Sequence, residues 1–207
     1  STAGPRDHPT ADTPMSTVFP APTLVALLDT LERLGLPRAR LLEAAGVEPH
    51  ILSDPAGAVP SEAWAATWMA ALADTKDPAL PARAGLTLPF GAFGLVDYLV
   101  GSAATVGDAL DTLIARFGGV ATLFTFGVDR PTGVIRIVGQ GAAPHANAEF
   151  TLGVLIRRLR DLTAGGPRLL DATLPGPELP GRPQVEVLGL SIVFGATEAT
   201  LRIDPAS

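Results

Sequence analysis

Hydrophobic positions along the chain follow two different rhythms. Leu24, Leu27, Leu28, Leu31 and Leu34 recur at three- and four-residue intervals, the spacing of one helix face, and Gly35 ends the run. Pro37 opens a second short helix over 38–45, stopped by Gly46. Residues 47–54 add a further helical turn, and Asp54-Pro55-Ala56-Gly57 reads as a loop. Ser61 is expected to cap a helix through Ala73 that sets Trp64, Trp68 and Leu72 on one face. Residues 79–86 read as a short helix and 93–102 as a buried one, by apolar composition. Thr105 to Asp108 has the form of a capping box with Asp in place of Glu. The helix it opens carries Leu110, Leu113, Ile114 and Phe117 and ends at Gly118-Gly119.

From residue 121 the period shortens to two. Residues 121–128 and 133–139 are rich in Val, Ile, Phe and Thr and are joined by Asp129-Arg130-Pro131-Thr132, which predicts a hairpin. The longest helix spans 144–164, with Phe150, Val154, Leu155, Leu159 and Leu162 on one face. A strand over 168–174, a proline-rich connection over 175–183 and a short strand over 184–187 follow. The last elements, 191–194 and 199–203, read as a second hairpin. The predicted class is α+β: a helical N-terminal half, then mainly antiparallel strands with one long crossing helix. Residues 1–18, rich in Pro, Thr, Asp and Ala without apolar periodicity, are expected to be a disordered extension, with Met15 as the natural start. Residues 19–207 are expected to form one folded domain.

Composition narrows the function. With 207 residues, 47% hydrophobic and 17% charged, the chain has material for a core and is not a disordered protein. It contains no cysteine, which excludes disulfides and thiolate metal sites, and His8, His50 and His145 are far apart in sequence. Fifteen basic against 21 acidic residues leave a net charge of -6, with no basic stripe for phosphates. The longest apolar stretches are broken by Pro89, Gly91, Gly94 and Asp97, too soon for a membrane span. The start lacks a signal peptide's basic and apolar regions, so a cytoplasmic protein is expected. Nucleophile-elbow, phosphate-loop, His-Glu-x-x-His and EF-hand motifs are absent, and Gly91-Ala92-Phe93-Gly94 lacks dinucleotide-loop spacing. No enzyme, metal or cofactor is expected.

The remaining polar and aromatic positions admit two readings each. Trp64 and Trp68, one turn apart, fit a core face or a pocket wall. Asp97 in an apolar helix needs a basic partner, a cavity or an exposed turn. Arg136, between Ile135 and Ile137, points to solvent or into a pocket where it would pair with a ligand carboxylate. His145 and Glu149 are expected in a solvated first turn, where Glu149 suits the helix dipole. Arg157, Arg158 and Arg160 are expected on a solvated face or at a subunit contact.

The order of these features resembles the N-terminal effector-binding (arabinose-binding-like) domain of AraC/XylS-family transcription regulators. The resemblance begins with Leu31-Glu32-Arg33-Leu34-Gly35-Leu36 and Leu41-Leu42-Glu43-Ala44-Ala45-Gly46-Val47. It continues through Val59-Pro60, the Trp-bearing helix, Lys76-Asp77-Pro78-Ala79-Leu80 and Arg83-Ala84-Gly85. Its most specific stretch is Phe93-Gly94-Leu95-Val96-Asp97-Tyr98, followed by Ser102, Thr105, Ala109-Leu110 and Arg116-Phe117. It closes on Val193-Phe194 and the segment from Leu201 to Pro205, and so covers about residues 22–205. Two positions depart from the pattern: Phe117 stands where the family often has Tyr, and 172–183 lacks a His-Pro-rich loop. The resemblance implies a bacterial sensor domain that binds a small-molecule effector and acts as a homodimer. DNA would be reached only through a C-terminal helix-turn-helix domain that this chain does not contain. The expected site lies between helices and sheet near Trp64, Trp68, Phe93, Tyr98, Phe124 and Arg136. The alternative is a structural dimerisation module without a ligand, which a pocket too small for a metabolite would favour.

Overall fold

The computed structural model describes residues 18–117, 124–139, 143–162 and 166–206. The expected extension lies outside them up to residue 17, and Val18 already belongs to a strand. That strand, β1 (Val18–Pro20), leads into α1 (Ala21–Arg33), whose Leu24, Leu27, Leu28 and Leu31 are all fully buried. α2 (Arg38–Ala45) ends at Gly46 in the left-handed conformation that glycine tolerates best, and α3 (Pro49–Ser53) carries its proline in the first turn. β2 (Ala58–Pro60) pairs antiparallel with β1 and closes this unit. Neither strand was legible as a strand, because three residues are too few to show a period.

α4 (Ser61–Asp74) begins one residue earlier than the expected cap implies. Pro60, held extended by its pairing with Val18, occupies the cap position, and the Ser61 hydroxyl turns to the Glu62 carboxylate. α5 (Leu80–Thr87) falls where expected. α6 (Leu95–Gly101) is not the buried helix its composition suggested. Only Val96 and Asp97 are buried, while Leu95 is 71% and Tyr98 60% exposed. α7 (Val106–Phe117) is opened as predicted: the Asp108 amide donates to the Thr105 hydroxyl, which donates to the Asp108 carboxylate.

The second half is built on β3 (Phe124–Asp129), β4 (Val134–Gly139), α8 (Pro144–Leu162), β5 (Leu169–Leu174), α9 (Pro183–Leu188), β6 (Ser191–Phe194) and β7 (Ala199–Ile203). β3 and β4 form the predicted hairpin. Residues 184–187, read as a strand, are helical: Pro183 starts the turn and Gly189, at positive φ, stops it. β6 and β7 are not a hairpin. β5 lies between them, parallel to β6 and antiparallel to β7, so the strands run β3–β4–β7–β5–β6. The α+β class holds. Among the described residues no helix is long and apolar enough to cross a membrane.

α8 lies between the two halves and supplies both cores. Its Phe150 and Val154 join the helical core with Phe19, Trp64 and Trp68. Its Leu152, Leu155, Ile156 and Leu159 join the second core against Ile135, Ile137 and Leu201 of the sheet. α5 crosses α8 at backbone contact: a methyl group on Gly85 would stand 2.1 Å from the Phe150 carbonyl, and one on Gly153 2.4 Å from that of Ala82.

Candidate functional site

Asp97 projects from the short α6 into an apolar interior, where a carboxylate must find partners. It finds them in α8. Arg158 donates from Nε to Asp97 Oδ1 at 3.1 Å and from Nη2 to Oδ2 at 3.0 Å. The Gly91 and Phe93 amides also donate to Oδ2, at 2.7 and 3.3 Å. Arg158 further donates to the carbonyls of Leu88 and Pro89, and its guanidinium lies 5.3 Å from the centre of the Phe90 ring. Both charged side chains are only 7% exposed. The pair thus fastens the α5–α6 connection onto α8. Removing one partner of such a buried pair generally costs about 3–5 kcal/mol, because the other charge is left uncompensated.

This corrects the reading of the arginine cluster as a solvated face. Arg157 is solvated and pairs with Asp161, and Arg160 donates to the Leu188 carbonyl, but Arg158 is interior. The signal lay in the spacing. Arg158 stands four residues after Val154 and three after Leu155, on the apolar stripe itself.

Above the pair lies a narrow cavity of about 40 Å³ between α6, α7, β3 and α8. Phe93, Val100, Leu110, Leu113, Phe126 and Val154 are among its apolar walls. Asp97, Arg158 and Thr151 are the polar side chains among the described residues that line it. Thr151 is 3% exposed, and its hydroxyl has no hydrogen-bond partner. Leu110 also borders a more open hollow of about 190 Å³, lined by Val128, Arg130, Ile135 and residues 203–205 near the C-terminal end of the chain.

Of the six residues expected at a site, Phe93 lines the cavity. Trp64 and Trp68 are fully buried in the helical core, edge to face with Phe150, and the Trp64 indole donates to Asn147 Oδ1 at 2.9 Å. Tyr98 stands on the outer side of α6 against Phe90, with ring centres 5.3 Å apart. Arg136 faces outward from the sheet and pairs with Glu198 at 3.3 Å. Phe124 begins β3, but its side chain lies outside the described residues. The six therefore do not converge on one place. Thr151 and Arg158, which sequence reasoning missed as site residues, belong to the cavity. No spacing marks Thr151, since a threonine on a helix face looks the same whether or not its hydroxyl is bonded.

Among the described residues, Glu149 is the acid whose pKa is raised by burial. It is largely buried rather than in a solvated turn, and desolvation raises its pKa from 4.5 to about 7 despite a hydrogen bond from Gln184; the nearby Asp77 charge raises it further. Among the described residues no group of three or more His, Cys, Asp or Glu side chains is placed to hold a metal ion.

The fold is shared with a transcription regulator. The solved structure of the transcriptional regulator CdpR from Pseudomonas aeruginosa matches with a TM-score of 0.58 at 18% identity, over 87% of this chain and 54% of that one. This chain therefore spans about half the length of CdpR. Residues 35–207 match the family described as the arabinose-binding domain at the N-terminus of AraC transcription regulators, and the chain belongs to that family. Family and structural neighbour are transcription regulators, not enzymes. No curated protein matches the chain.

Proposed function

We propose that this chain is the ligand-sensing domain of an AraC-type regulator and that its effector enters the cavity between α6, α7, β3 and α8. The carrying observation is the cavity itself: apolar walls, one buried hydroxyl without a partner, and a neutral ion pair beneath. Leu110 lines both this cavity and the hollow that residues 203–205 line. A ligand that moves α7 would therefore also move what holds the end of this chain. Of the expected site, Phe93 is kept, joined by Thr151, Leu110, Leu113 and Arg158.

The domain acts as a cytoplasmic homodimer and contacts DNA through a helix-turn-helix domain outside this chain. Its net charge of -6 agrees with leaving phosphate contacts to another part of the protein. Occupancy changes the output only if the ligand binds one conformation more tightly than the other. At about 40 Å³ the cavity is well below the roughly 150 Å³ that admits a benzene-sized guest, so the ligand must select a state with α6 and α7 lifted from α8. The same small volume favours the second reading, a dimerisation module without a ligand.

The two readings separate on Ala109→Leu, which enlarges a side chain of α7 that lines the cavity. In the full-length regulator this variant should fold and dimerise yet lose its transcriptional response to effector in a reporter assay. An unchanged response would remove the cavity from the site. A regulator that dimerises through this domain and responds to no small molecule would establish the second reading.

A further inference from the structure

We infer that the effector is an uncharged, largely apolar molecule carrying a single hydrogen-bonding oxygen, and not a sugar. This rests on the reading of the cavity as the effector site. Three observations carry it, and they concern hydrogen-bond supply, charge and shape.

Among the described residues the lining offers three polar side chains, and two are already committed. Asp97 accepts from Arg158 and from the amides of Gly91 and Phe93, while Arg158 donates to Asp97 and to the carbonyls of Leu88 and Pro89. Only the Thr151 hydroxyl is left without a partner. It can donate to a carbonyl oxygen or exchange a hydrogen bond with an alcohol. A pentose brings several hydroxyl groups into the same space, and most would be buried unpaired, which opposes binding.

The ion pair sets the charge. Asp97 and Arg158 neutralise each other at 3.0 Å, with each side chain only 7% exposed. A ligand carboxylate reaching Arg158 would displace Asp97 and leave that carboxylate buried without its counter-ion; a ligand cation would strand Arg158 in the same way. Neutral ligands avoid both costs. The shape is set by Leu110, the shared wall of the two spaces. Turning that side chain aside joins them into a passage under α7, which fits an elongated tail directed from Thr151 toward residues 203–205.

The test titrates the 207-residue chain, by calorimetry at pH 7, with octan-1-ol, octanoate and L-arabinose, in the native sequence and in Thr151→Val. Octan-1-ol should bind saturably at one site, octanoate at least about tenfold more weakly, and L-arabinose not at all. Thr151→Val keeps the shape and removes the orphan hydroxyl. It should raise the Tm of the ligand-free chain while weakening octan-1-ol about tenfold, the equivalent of one hydrogen bond. A purely structural threonine would not couple those two changes in opposite directions. Octan-1-ol binding that is indifferent to Thr151→Val overturns the inference, and so does tighter binding of octanoate. Saturable arabinose binding that Ala109→Leu abolishes overturns the ligand class while leaving the sensor reading in place. If none of the three binds, the ligand class falls as well, and the sensor reading is then decided separately by the reporter response of Ala109→Leu.

Discussion

Glu149 illustrates how a single buried proton couples this fold to pH. Its Oε1 accepts from the Gln184 amide at 3.4 Å, while its Oε2 and the Gln184 carbonyl oxygen are both buried without partners. Two acceptors cannot satisfy each other, but a proton on Oε2 turns that oxygen into a donor within the same pair of side chains. With the folded pKa raised to about 7 from 4.5, the native state keeps a proton that the unfolded chain releases. The stability this confers is present below about pH 4.5 and is lost as pH rises through 7, a loss on the order of 3 kcal/mol if burial is fully effective. Glu149→Gln should remove that slope. In urea denaturation the native sequence loses stability between pH 5 and pH 8, while the variant stays flat across that range and is the more stable of the two at pH 8. Equal slopes would exonerate Glu149. At this scale the sequence is partly legible: a basic partner is one of the readings open for Asp97, an acid in an apolar segment, but Arg158 reads as solvated although it lies on the apolar stripe of its helix. Glu149 gave no such sign, because a carboxylate in a first helical turn is favoured by the dipole and is normally solvated. Its hydrogen-bond partner there is Gln184, 35 residues later on α9.

At the scale of elements, periodicity located nearly every helix and the β3–β4 hairpin but could not say how β5, β6 and β7 pair. The segment Gln184-Val185-Glu186-Val187 alternates polar and apolar like a strand, yet Pro183 and Gly189 bracket it as a single helical turn and a half. Residues 195–198 look like a hairpin turn between β6 and β7. β5 intrudes because its Ala172 and Leu174 join Leu201 on the face that α8 covers, while Thr173 bonds the Thr200 hydroxyl at 2.9 Å on the other. Such long-range choices leave no local signal. The crossing of α5 on α8 is another. Gly85 and Gly153 face each other at backbone contact, and the helices approach this closely only because neither bears a Cβ. Gly153→Ala should therefore destabilise the chain by about 1–3 kcal/mol or more, although alanine is the better helix former. Thermal denaturation checks the sign. A variant as stable as the native chain would mean that α5 can move aside at little cost.

Across the whole molecule the packing is uneven, and this sets which part can move. α8 is committed to both cores and to α5, so lifting it would expose Phe150 and Ile156 together. α6 and α7 pack chiefly on each other, with α7 also touching β3, and a cavity and a hollow flank Leu110 where α7 meets the rest. Two polar ties hold them down: Asp97 on Arg158, and Arg130 on Asp111 and the Gly107 carbonyl. An element with few apolar contacts and a void beneath it opens at lower free energy than the global transition. Native-state hydrogen exchange should therefore show the amides of α6 and α7 exchanging through a partial opening, well before those of α8, β4 and β7, which await global unfolding. Arg130→Gln, at an exposed tie, should speed exchange in α7 without lowering the protection of α8. Ligand binding in the cavity should slow exchange in α6 and α7 above all. If α6 and α7 are instead as protected as α8, the cavity cannot open by their movement, and its volume of about 40 Å³ would restrict it to a packing defect of a dimerisation module.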